Sequence, residues 1–437
     1  MSENLPQSNF ELEGAEAISG SSVENPSKAP PTHSPVRKGA MYFILVTVAL
    51  DMFAVGVIIP VLPKLIGSFV ANDAYRTAQM IGIFGTAWAV MQFFFSPILG
   101  SLSDRVGRRP VVLASNIGLG LDYILMALAP TLSWLFVGRI ISGITSSSIP
   151  TGFAYISDVT PPEKRAASFG MLSASFGLGF ILGPAVGGYL GGISPRLPFW
   201  VAAALSLANA CYGFFVLPES LKKENRSRFQ WKKANPIGSL ILLKRHKELL
   251  GLAAVLLLSY TAQQVFGTVY VLYADYRYHW SSMTVGFSLM VVGLFSVLMG
   301  GGVVRPFVKR FGERVALLFG LTFGVLGFFM FGYSSGGLLF WLGIPIMNLW
   351  TLAGPAAQGM MTHHVSPAEQ GQLQGAVSSM RGIAGLIGPS LYTAVFAFGI
   401  RPVINIPGAP FYVASALVFL AFLLGNAVTR GRVRKSA

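Results

Sequence analysis

The stretch Leu99–Val112, LGSLSDRVGRRPVV, sets Asp104, Arg105, Arg108 and Arg109 within six residues, between two long apolar runs. Such charge is rare elsewhere in the chain. Of 437 residues only 11% are charged and 53% are hydrophobic, and the mean hydropathy is +0.61. Soluble domains carry about 25% charged residues, so most of this surface must face lipid. A charged turn between apolar runs then reads as a loop joining two membrane-crossing helices.

A bilayer core of about 30 Å takes about 20 apolar residues at 1.5 Å each. Windows of that length fall near 41–64, 79–102, 110–129, 132–157, 166–191 and 198–217, and again near 250–273, 282–304, 314–333, 336–361, 371–398 and 409–429. This gives six spans, a basic stretch from Pro218 to Glu248, and six more. With the N-terminus inside, the inner loops hold Arg105–Arg109, Lys164, Arg165, the nine basic residues from Lys222 to Lys247, Arg305–Arg314 and Arg430–Lys435. The outer loops hold only Lys64, Arg76, Arg196, Arg277 and Arg401. That bias places both termini in the cytoplasm. The net charge of +15 is thus a topology signal, not a nucleic-acid footprint.

Residues 1–38 are polar and rich in Ser, Pro and Glu, and read as a disordered cytoplasmic tail. They lack the basic start and apolar core of a signal peptide. The expected organisation is this tail, a six-helix bundle over 39–217, a central cytoplasmic loop over 218–248, a second bundle over 249–429 and a basic tail over 430–437. Cys211 is the single cysteine, which excludes disulfides.

The chain also repeats itself. At a constant shift of 205 residues Gly107 meets Gly312, Gly138 meets Gly343, Pro150 meets Pro355 and Pro162 meets Pro367. Gly170 meets Gly375, Gly177 meets Gly382, Gly183 meets Gly388, and Pro184 meets Pro389. Chance at this composition gives about one or two such coincidences over that length. The fold class is therefore an all-α membrane protein with twelve spans in two pseudo-symmetric six-helix bundles. Bundles of that kind expose a site between them to each side in turn.

Charged and polar groups inside the spans are few. Asp51 lies mid-span 1, Asp122 in span 3, Arg139 in span 4 and Arg381 in span 11. An intramembrane ion costs at least about 2.5 kcal/mol and normally faces a cavity or a partner. A carboxyl whose proton affinity is set by burial and a nearby cation is the simplest proton carrier. Asp51 with Arg139 is the leading pair and Asp122 the second candidate. Tyr123 beside Asp122 could equally make that acid a fixed structural group. Arg381 either attracts an anionic part of the substrate or answers Asp51 or Asp122 across the halves. Gln92, Gln263, Gln264 and Gln358 supply amides for a mostly apolar ligand site.

In the loop after span 2, Asp104 suits the N-terminus of a neighbouring helix. The arginines suit an acid at another span's inner end, and Asp158 is the nearest. Such contacts would latch the inner side in one state. The second-half copy, RPFVKRFGERVAL, keeps Gly312 and Arg314 but has Lys309 at the position of Asp104, so the latch is expected on one side only. In span 5 the string GLGFILGPAVGG spaces Gly179, Gly183, Pro184, Gly187 and Gly188 for close helix approach.

Gly100, Asp104, Arg105, Gly107, Arg108, Arg109 and Pro110 together resemble the spans 2–3 signature of the major facilitator superfamily. The span-5 string resembles the motif of its antiporter branch, and VGRIISG around Arg139 resembles its span-4 arginine motif. LDMFAVGVIIPVLPKL, GLDYILMAL, SPRLPFW, WSSMTVGFSL and EQGQLQG narrow the likeness to bacterial tetracycline/proton antiporters. That likeness implies roles in coupling or substrate handling for Asp51, Asp122, Arg109, Arg139 and Gln92. Two positions depart from it. Gly324 replaces an intramembrane aspartate of that family, and Phe295 replaces a histidine.

The reading is a secondary transporter of the bacterial inner membrane, acting as a monomer, that exports a small amphiphilic compound in exchange for protons. A proton-coupled permease for a sugar or other metabolite is the alternative. No cofactor or metal is expected. No paired-histidine metal set and no G-x4-G-K-[ST] string exist, so neither an enzyme nor ATP coupling is indicated.

Overall fold

The computed structural model describes residues 38–146, 148–161, 164–221, 223–227, 235, 238–240, 242–243, 246, 248–366 and 369–433. The expected tail before Lys38, most of the central basic loop, Pro162, Pro367 and the last four residues lie outside them.

The described chain is helical almost throughout. Ten helical stretches of 20 to 33 residues are each apolar enough to cross a membrane once. An eleventh, Ser282–Tyr333, runs 52 residues, about 78 Å at 1.5 Å per residue and enough for two crossings. Twelve spans result. The first span's helix begins at Lys38 and the last runs to Val433.

The repeat is written in the backbone. Gly107 (φ 113°, ψ 160°) turns span 2 into span 3, and Gly312 (φ 80°, ψ 163°) turns span 8 into span 9. Among the described residues these are the only glycines with positive φ. Both values fall where an L side chain is strained, so glycine is required at both turns. Spans 4 and 10 also break at matching places. Span 4 comprises Leu132–Thr145 and Ser148–Val159, and span 10 comprises Gly337–Asn348, a 3-10 turn Leu349–Leu352, and Ala353–Thr362. Pro150 and Pro355 cause these breaks, because each ring crowds the carbonyl four residues earlier.

The spans' charged ends define a basic face, bearing Arg108, Lys164, Arg305–Arg314 and Arg430. The two halves meet through spans 2 and 11 and through spans 5 and 8. Away from the basic face this seam is tight. Thr86 and Ser390 are hydrogen-bonded at 2.8 Å, Arg401 lies over the Tyr75 ring, and Gly188 touches the Ser282 backbone. Toward the basic face, Gly100, Gly170, Gly300–Gly302 and Gly371 of the same four spans face open space. The halves therefore part on that side.

Candidate functional site

Spans 3 and 4 are joined at both ends by ion pairs of opposite polarity. At the basic face Arg108 Nε donates to Asp158 Oδ2 at 3.1 Å, and Arg108 Nη1 lies 2.6 Å from Asp104 Oδ1. The backbone N–H of Arg108 donates to Glu219 Oε1 at 2.8 Å, and Ser220 Oγ donates to Asp158 at 3.0 Å. A side chain at Gly107 would collide with the Glu219 carboxylate. Arg108 and Asp158 thus meet as expected, but Asp104 pairs with Arg108 four residues on, and Glu219 takes the N-terminus of span 3, where Asp104 was expected to cap a neighbouring helix. The rest of the motif does not join them. Arg109 turns to the Phe214 carbonyl and ring in span 6, Arg105 is exposed, and Gly100 faces open space.

At the other end, Arg139 Nη2 stands 3.7 Å from Asp122 Oδ2, with both side chains largely enclosed. Gly138 makes the room, since a Cβ there would lie 2.7 Å from Asp122 Oδ1. This corrects the expected pairing of Arg139 with Asp51. Asp51 instead accepts from Asn209 Nδ2 at 2.8 Å, and an Asn116 amide oriented as donor reaches both its oxygens at 3.0 and 3.1 Å. Spans 1, 3 and 6 therefore hold Asp51 among amides. Asp51 is 2% exposed and Asp122 1%, so neither carboxyl is wetted with the halves parted as here.

Gln92 Nε2 donates to Ser146 Oγ at 3.2 Å, tying span 2 to the break in span 4. In the second half Arg381 is exposed mid-span, its guanidinium 4.9 Å from the Tyr260 ring centre. Gln358 Nε2 donates to the Tyr260 hydroxyl at 3.2 Å. Gln263 is exposed one turn along span 7, whereas Gln264 is half-buried against Gly385 and Gly388. Gly324 packs beneath Trp350, with 2.8 Å between a built Cβ and the ring. No carboxylate replaces the missing one nearby, and no cluster of three metal-ligating side chains occurs among the described residues.

The span-5 glycines work as two rows. Gly179, Gly183 and Gly187 lie against the backbone of span 1 at Ala49, Phe53, Gly56 and Val57, within two turns of Asp51. Pro184 and Gly188 lie against Gly286 and Ser282 of span 8. Span 5 is thereby clamped between the acid-bearing span and the opposite half.

A second latch stands where none is expected. His363 Nε2 lies 3.4 Å from Glu313 Oε1, and these residues are the 205-shift counterparts of Asp158 and Arg108. Lys309 likewise corresponds to Asp104. Losing the aspartate does not remove the contact, because acidic and basic side chains are exchanged at all three positions. Applying the shift to every charged residue would have exposed it. Asn116, Asn209 and Glu219 were also missed. An asparagine in an apolar span was the available signal for the first two.

Twelve spans in two related halves, with two acids and an arginine enclosed within the first half, are the architecture of a multi-pass membrane transporter. A model of the Major Facilitator Superfamily matches residues 41–389, and the chain belongs to that family. It is 38% identical over 361 residues to the class C tetracycline resistance protein of Escherichia coli, covering 82% of this chain and 90% of that one. The class B protein of the same organism is 35% identical over 391 residues, covering 87% and 95%. A mutant of the nucleoside transporter NupG superposes with a TM-score of 0.74 at 15% identity, over 89% of this chain and 100% of that chain.

Proposed function

We propose that this protein is a proton-coupled exporter of small amphiphilic drugs, working by alternating access in the inner membrane of a bacterium. The basic face is cytoplasmic, and the bundles over 39–217 and 249–429 rock about the cavity between them. The single observation that carries the reading is the Asp122–Arg139 ion pair, held out of water inside the first bundle. Relatives named for tetracycline resistance support export over uptake.

Protonation of Asp122 removes the charge that holds Arg139. Breaking a buried pair is costly, so Arg139 seeks a new partner and span 4 shifts against span 3. The same two spans carry Asp158 and Arg108, so one displacement reaches the cytoplasmic latch. Asp51 sits on span 1, against the span-5 glycines, and its protonation would loosen the clamp to the second half. Uphill, pH-driven drug efflux in everted vesicles tests the proposal, with proton release followed by a pH-sensitive dye. Transport that ignores the pH gradient sinks it.

A further inference from the structure

We infer that the cavity binds organic anions with an aromatic or other apolar body, and that Arg381 is the residue that selects them. The inference rests on the transport reading above and names the substrate class of that same cavity.

An arginine at this depth is expensive. Arg381 lies about 16 Å along span 11 from the helix's basic-face end, at 1.5 Å per residue, and a cation there costs at least about 2.5 kcal/mol unless compensated. The acids that could answer it are engaged elsewhere. Asp122 pairs with Arg139, and Asp51 accepts from two asparagine amides. Among the described residues no carboxylate lies within 4.0 Å of the Arg381 guanidinium. The group is exposed, and it stands over Tyr260 of span 7 while the next residue, Gly382, meets Phe93 of the first half. The sequence left two readings of Arg381, and the geometry removes the one that sent it across to an acid of the first half.

What surrounds the guanidinium fits an anion carried on a flat apolar frame. Its plane is steadied by the Tyr260 ring at 4.9 Å, and Gln358 fixes that ring through its hydroxyl. A guanidinium held this way presents its N–H fork edge-on, which matches a carboxylate bidentately. Phe93 of span 2 packs beside the next residue, 2.7 Å from a Cβ built at Gly382, and supplies an apolar wall from the opposite half. Gln263 adds an exposed amide one turn from Tyr260. A ligand spanning Arg381 and Phe93 touches both halves at once.

The test uses the purified full chain in detergent, with no proton gradient, so its failure is separable from failure of antiport. The probes are 2-naphthoate, 2-naphthylmethanol and 2-naphthylmethylammonium, which share a ring system and differ in charge. Affinities come from the rise of the unfolding midpoint with probe concentration. The expected result is at least tenfold tighter binding of 2-naphthoate than of either other probe. Arg381→Gln should erase that preference. Arg381→Lys should keep part of it, because it retains the charge but loses the flat face on Tyr260. Equal affinities, no binding of 2-naphthoate, or an anion preference surviving in Arg381→Gln would each overturn the inference. Should Arg381→Gln not fold, the wild-type comparison and Arg381→Lys still decide it.

Discussion

Glu313 and His363 touch at 3.4 Å, at the two places that Arg108 and Asp158 occupy 205 residues earlier, with acidic and basic side chains exchanged. The first-half pair joins an arginine to a carboxylate, and both side chains are largely enclosed. The second-half pair joins a carboxylate to an imidazole that is exposed, so it contributes at most about 1 kcal/mol, a factor of about five in a rate. Asp158→Asn is therefore expected to lower transport more than Glu313→Gln does. Equal losses in a vesicle efflux assay would show that the two pairs carry the same weight.

The two buried acids should fail in different ways. Asp51→Asn keeps the shape of the side chain among the Asn116 and Asn209 amides, so the protein is expected to fold and insert while losing proton-driven transport. Asp122→Asn leaves Arg139 enclosed without its counter-ion, a change that costs about 3–5 kcal/mol in buried pairs. Its unfolding midpoint should fall well below that of Asp51→Asn. Two variants of equal stability would show that the Asp122–Arg139 pair holds nothing together.

Much of this arrangement was legible in the sequence because glycine and proline report backbone conformation directly. Gly107 and Gly312 aligned at one shift, and both prove to be positive-φ turns; Pro150 and Pro355 aligned, and both follow helix breaks. Partner choice was not legible. Arg139 lies at a depth that suits Asp51 or Asp122 equally, and only the rotation of span 4 about its axis decides between them. That rotation is set by Gly138 and Gly143, whose close contacts with Asp122 and with the Trp88 backbone depend on how three helices pack.

Those turn glycines give a third expectation. Alanine at Gly312 meets open space and pays only for its backbone conformation, about 1–3 kcal/mol. Alanine at Gly107 pays the same and also displaces the Glu219 carboxylate that caps the Arg108 N–H. Gly107→Ala should therefore lower the unfolding midpoint more than Gly312→Ala does. The reverse order in a thermal scan would show that Glu219 yields without cost.

Glu369, just before span 11, makes a pH-dependent tie. Hydrogen bonds from the Ser366 hydroxyl and N–H, and then the His246 contact at 3.3 Å, hold its carboxyl below the usual glutamate range. A lowered native value means the stabilisation is present above the ordinary glutamate pKa of about 4.3. It is lost as pH falls through the lower native value. Glu369→Ala should thus reduce the unfolding midpoint at pH 7, with the difference from wild type shrinking below about pH 4. A difference that grows as pH falls would contradict the assignment.

The last expectation concerns tetracycline itself. A chelated divalent cation wants several hard oxygen ligands, and the two departing positions offer none: Gly324 lies under Trp350, and Phe295 packs on the apolar core. Expression in a sensitive host should therefore give weaker tetracycline resistance than the class C relative gives, and Mg²⁺ should not stimulate transport in vesicles. Gly324→Asp alone should not supply the missing function, because a Cβ there already stands 2.8 Å from the Trp350 ring. It should destabilise the protein instead, and only Gly324→Asp combined with Trp350→Ala makes space for the carboxylate. Robust, Mg²⁺-stimulated tetracycline efflux by the unaltered protein would show that acids of the first half suffice for the metal complex.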